Sequence, residues 1–119
     1  MTEQTAVSSP VIRVAVDSGI CGFHCLVEAW EKERRKVLIR ITGSECQQIQ
    51  RLAECVQDLS LKELFAPVSK NRIFSSAQAC GCHPSCPVPV AVLKAVEVAM
   101  GMALPKDAVI RFQRDEKAD

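Results

Sequence analysis

Tyrosine is absent from the chain and tryptophan occurs once, at Trp30. Stacking platforms for nucleic-acid bases are built from aromatic faces, so such a platform is poorly supplied here. An excess of one charge is equally missing: 15 Lys and Arg stand against 14 Asp and Glu, a formal net charge of +1 over 119 residues. No general field therefore draws the chain to nucleic acid or anionic lipid. The one basic cluster, "KERRK" at 32–36, contains Glu33 and reads as the tip of a solvated hairpin. A membrane helix needs about 18 or more consecutive apolar residues, and none are found. In "CPVPVAVLKAVEVAMGMALP" three prolines, Lys94 and Glu97 interrupt the run, which reads as a buried helix instead. The opening "MTEQTAVSSP" lacks an apolar core behind a basic start, so it is expected to be a disordered lead and not a secretory signal. Also missing are a glycine-rich phosphate loop, a G-x-S-x-G elbow and any periodic pairing of acidic residues in a cleft. These absences favour a binding role over an enzymatic one.

What the chain does hold is cysteine, seven residues of it. At about 6% this lies under the roughly 8 to 10% of small secreted disulfide scaffolds. The odd number and a 48% hydrophobic composition adequate for one unstapled domain point to a reducing cytoplasm. Clustered thiols in that setting mean metal or redox chemistry more often than disulfides.

Hydrophobic periodicity divides the chain in two. Residues 11–17, 23–31 and 36–42 alternate and are rich in β-branched side chains, which predicts an antiparallel three-stranded meander with Phe23, Cys25, Val27 and Ala29 on one face. After Gly43 the period lengthens. "SECQ" at 44–47 reads as a capping box opening a helix over 45–58 that runs to about Leu59, and "SLKE" at 60–63 reads as a second one. Asn71 can cap a third short helix, and a final helix is expected over 87–101, buried on most sides. "AVIRF" at 108–112 can return as an edge strand. The expected architecture is α+β: one domain over 11–113, a small antiparallel sheet covered by helices, with disordered ends at 1–10 and 114–119.

Burial sorts the cysteines. Cys25 shares its strand face with Phe23 and Val27, Cys55 falls at helical spacing among Leu52 and Leu59, and Cys80 continues Ile73 and Ala77, so these three read as core. No core stripe covers Cys21, Cys46, Cys82 or Cys86, which all sit at element junctions. Cys46 and Cys86 are placed at helix starts, where unpaired amides and the dipole should lower thiol pKa values. His83, held beside Cys82 by Pro84, could replace Cys82 as a ligand, whereas His24 reads as a surface residue. The sulfurs of Cys21, Cys46 and Cys86 are expected to converge, with Cys82 or His83 near them.

The order of Cys21, Cys46, His83 and Cys86 resembles the ligand order of NifU-type iron-sulfur scaffold proteins, which also place three antiparallel strands before their helices. Gly22, Phe23 and His24 follow Cys21 here, where that family carries an acidic residue. A closer resemblance is to a small, functionally uncharacterised family of anaerobic bacteria and methanogens, carried by "GICGF", "SECQQIQRLAE", "SCPVPVAVLKAVEV" and "ALPKDAVIRF". Three function classes follow. One is a metal-binding protein holding zinc or an iron-sulfur cluster through Cys21, Cys46, Cys86 and one of Cys82 or His83. The second is a thiol or persulfide carrier with Cys86 as nucleophile and Cys82 as resolving thiol. The third is a metal-free interaction module. A metal ion or cluster is the expected partner, a protein partner stays open, and neither nucleic acid nor membrane is expected.

Overall fold

The computed structural model describes residues 10–114, so the expected lead and tail lie outside the described residues apart from Pro10 and Arg114. The alternating segments form β1 (Ile12–Asp17), β2 (His24–Glu33) and β3 (Lys36–Thr42). They pair antiparallel, and a fourth strand, β4 (Asp58–Ser60), extends the sheet in the order β1-β2-β3-β4. The register sets Val16 opposite Cys25, Val27 opposite Ile41, Ala29 opposite Ile39 and Val37 opposite Leu59. All eight of these side chains are buried, and a slip by one residue would turn a whole strand's set to solvent.

The other face of the sheet is polar. Arg13, Glu28 and Arg40 are cross-strand neighbours there. Arg13 Nε donates to Glu28 Oε2 at 2.9 Å and Arg40 Nη2 donates to Oε1 at 2.7 Å. The hydrogen bonds from Arg40 lead in holding the Glu28 carboxyl below the usual range, against the opposing effect of burial. The Arg40 guanidinium also lies 5.7 Å from the centroid of the Trp30 ring. Helices are thereby confined to one face, as antiparallel sheets allow.

The first helix departs from expectation at both ends. α1 spans Gln47–Cys55, with Cys46 as its N-cap residue. Ser44 Oγ accepts from Cys46 N at 3.1 Å, so the serine closes a local turn and leaves the helix to begin three residues later. At the far end, Val56 is extended and the chain enters β4, with Ile39 N donating to Gln57 O at 2.9 Å. The open edge of β3 captures residues that helical spacing alone would have kept in the helix. That edge is a tertiary partner, invisible to a local pattern.

The remaining helix starts agree with the capping signals. α2 (Leu61–Leu64) carries the reciprocal Ser60–Glu63 box, and α3 (Arg72–Ala79) begins with Asn71 Oδ1 accepting from Ile73 N at 2.9 Å. The buried Asn71 amide also donates to the carbonyls of Glu63, Leu64 and Ala66, which ties down the preceding loop. α4 (Val88–Ala99) follows Pro87 and tolerates Pro89 in its first turn. Its buried residues are Val88, Pro89, Ala91, Val92, Ala95 and Val96. The expected burial on most sides holds: of its residues only Val90 and Lys94 are exposed, because α4 packs on the sheet and is flanked by α3 and α2. Among the described residues no helix is long and apolar enough to cross a membrane.

Residues 108–112 are not an edge strand. They have no regular structure, and Ile110 and Phe112 are 94% and 99% exposed. Alternation yields a strand only when an edge supplies the ladder, and no described sheet pairing includes this segment.

Candidate functional site

The cysteine junctions gather at one end of the sheet. In the turn between β1 and β2, Gly22 N donates to Gly19 O at 2.8 Å and Ser18 N to Phe23 O at 3.1 Å, presenting Cys21 from a single 3-10 turn, Gly19–Cys21. The second junction comes from α3. Cys82 N donates to Ala77 O at 2.9 Å and Gly81 N to Gln78 O at 3.0 Å, the paired bonds of a Schellman cap. Gly81 has φ +81°, which glycine adopts without a Cβ penalty, and the cap aims Cys82 out of the helix axis. A tight turn, Cys86 N to His83 O at 3.0 Å, then folds "HPSC" back just ahead of α4.

The segment from Cys80 to Cys82 lies along α1. Arg51 Nη2 donates to Cys80 O at 3.1 Å, and a methyl group built on Gly81 would touch Gln48 Cγ at 3.7 Å. Residues 48, 51 and 55 form one helical stripe, so the loop runs along that stripe from the end of α1 towards its start. Cys82 is delivered beside Cys46 by this path.

The result is a cleft of about 370 Å³ whose wall contains Cys21, Cys46, Cys82, His83 and Cys86, with Ile49 and Phe23 supplying apolar surface. All five candidate residues from the sequence therefore line one cavity. Cys21 and His83 are exposed, while Cys46, Cys82 and Cys86 are half-buried. Among the described residues, no group of three or more His, Cys, Asp and Glu stands in a geometry that would hold a metal ion. The thiols share the wall of one cleft.

Their electrostatics differ from expectation. Burial raises the Cys86 thiol, and charge at Cys46 and Cys21 raises it further; the Val88 amide aimed at its sulfur lowers it without prevailing. The lowered pKa expected at Cys86 from the helix start is thus overturned, because loss of water outweighs one backbone amide. Burial pushes Cys82 up to about 11, reinforced by Cys86, Cys80 and Cys46 and opposed by Arg51. Cys46 caps α1 with its backbone only, its Sγ lying 3.2 Å from Gln48 Oε1.

Of the three cysteines assigned to the core, Cys25 and Cys80 are buried and Cys55 is not. Cys25 is buried as expected, but its thiol, raised to about 11 chiefly by burial, also feels Cys86 and Cys46. It stands against the floor of the cleft. The signal was available: Cys25 holds the first inward position after the turn that carries Cys21. Cys55 is exposed, because the inward stripe of α1 is Ile49 and Leu52 and the helix ends at Cys55 before another turn could cover it. Only Cys80 is buried with no thiol of the cleft among the charges that shift it. His24 is a surface residue, 4.0 Å from Asp17 through Nδ1.

No curated protein and no solved structure matches the chain. A family of unknown function, DUF6951, matches residues 12–112, which spans the sheet, the cleft and the four helices. The chain belongs to this uncharacterised family.

Proposed function

We propose that the chain is a metal-binding protein whose cleft holds an iron-sulfur cluster through Cys21, Cys46, Cys86 and one of Cys82 or His83. The observation that carries this reading is the single cleft that Cys21, Cys46, Cys82, His83 and Cys86 line together. Thiolates binding one zinc ion each stand about 2.3 Å from it, so they must crowd to a single point. Thiolates binding a cluster attach to separate irons and stand farther apart. A cavity lined by four thiols and an imidazole offers the sulfur-rich ligation that such clusters use.

Charge supports the same reading. After burial, charge at Cys86 and Cys46 raises both Cys25 and Cys82, and charge at Cys46 and Cys21 raises Cys86. A bound cationic centre inverts that balance by stabilising thiolates. A persulfide carrier instead requires a low-pKa nucleophile, and the pKa of Cys86 is raised. Zinc remains the alternative occupant.

The test is anaerobic purification followed by iron, sulfide and zinc analysis and an absorption spectrum. Iron with acid-labile sulfide and a charge-transfer band lost in Cys86→Ser is the expected result. Stoichiometric zinc without iron would replace the cluster by a zinc site. Protein that takes up neither after anaerobic reconstitution would refute metal binding.

A further inference from the structure

A second pair of thiols lies outside the cleft wall. Cys55 closes α1 and Cys80 caps α3, and their Sγ atoms are 3.9 Å apart. Burial accounts for Cys80, which is 5% exposed, but not for Cys55, which is exposed. Each residue sits at a helix C-terminus. Sulfurs at this separation are in contact but unbonded, and a disulfide would bring them to about 2.05 Å.

We propose that Cys55 and Cys80 form a reversible disulfide, a redox-modification site separate from the cleft, with a low-molecular-weight disulfide as oxidant. The exposed Cys55 sulfur attacks one sulfur of the oxidant and expels the first small thiol, leaving a mixed disulfide on Cys55. Cys80, buried beside it, then attacks Cys55 Sγ and expels the second small thiol. Two protein S–H bonds become one S–S bond. The two electrons and two protons leave on the released thiols. Oxidation staples the end of α1 to the end of α3 and so fixes the start of the loop that carries Cys82. The inference is independent of the metal reading, since neither thiol belongs to the proposed ligand set.

Reduced full-length protein, equilibrated with glutathione disulfide under anaerobic conditions and quenched with an alkylating agent, should show one dominant crosslink joining Cys55 to Cys80 by tandem mass spectrometry. Dithiothreitol should reverse it completely. Cys55→Ser, at an exposed position, should keep its melting temperature and lose the crosslink entirely; Cys80→Ala should lose it too. Cys55 left as a stable glutathione adduct, left free, or crosslinked only to Cys82 or Cys86 would overturn the proposal.

Discussion

The two ends of α1 carry thiols in contrasting company. At its start, Cys46 opens into a cleft shared with sulfurs from the β1–β2 turn and the loop before α4; at its end, Cys55 meets one sulfur, that of Cys80. Nine residues of helix, on the order of 13 Å, separate the two sites. Residue type is the same at both. What differs is how many chain segments arrive, and that number sets the available chemistry: several thiols around a cavity suit a cluster, and two in contact suit a disulfide.

The largest effect that would break the comparison is on metal content. Joint replacement of Cys21, Cys46 and Cys86 by serine should abolish bound iron or zinc, and Cys86→Ser alone should weaken binding by about 100-fold or more, as read by competition with a chelator. Cys55→Ser should leave stoichiometry unchanged. Equal loss in Cys55→Ser would merge the two sites.

Stability should separate the thiols next. Cys25→Ser places a hydroxyl under the sheet's buried face and should cost about 1 to 3 kcal/mol in reduced, metal-free protein, whereas Cys55→Ser should stay within about 0.5 kcal/mol. Urea unfolding measures both. A smaller cost at Cys25 than at Cys55 would reverse the burial assignment.

Alkaline pH sharpens the same distinction. Cys25 and Cys82 have folded pKa values raised to about 11, above the roughly 8.5 of an unfolded thiol. The folded state therefore holds its protons more tightly, and the stability this confers is present below about pH 8.5 and lost as pH rises towards 11. Unfolding of metal-free protein should show that alkaline loss, and Cys25→Ala should reduce it. Metal affinity should move the other way, rising with pH as thiols deprotonate more readily. The smallest effect belongs to the exposed residues 104–114: replacing Ile110 and Phe112 together by serine should change stability by no more than about 0.5 kcal/mol.

Much of the fold was legible because it rests on local patterns. β1, β2 and β3 fall within two residues of the alternating segments, and the Ser60 and Asn71 caps stand where their side chains announced them. Apart from the local Ser44 turn that delays α1, the failures are non-local. β4 forms where β3 offers an edge, whereas residues 108–112 enter no described sheet pairing. Within the site, the exceptional positions of Cys21, Cys46, Cys82, His83 and Cys86 were readable from the absence of any core stripe. The exposure of Cys55 was not, since a side chain on an apolar pattern can still run off the end of a helix.

The sequence by itself determined where the period changes from two to 3.6, which residues cap the short helices, and which cysteines lie at junctions. Each depends on interactions spanning a few residues. Tertiary structure alone decided which sulfurs meet. That depends on the β2–β3 register, on the Gly81 cap that sends the chain back along α1, and on the water lost when the cleft forms, which raised the Cys86 thiol against the pull of its helix start. Desolvation and proximity are properties of the assembled surfaces, and no spacing along the chain encodes them.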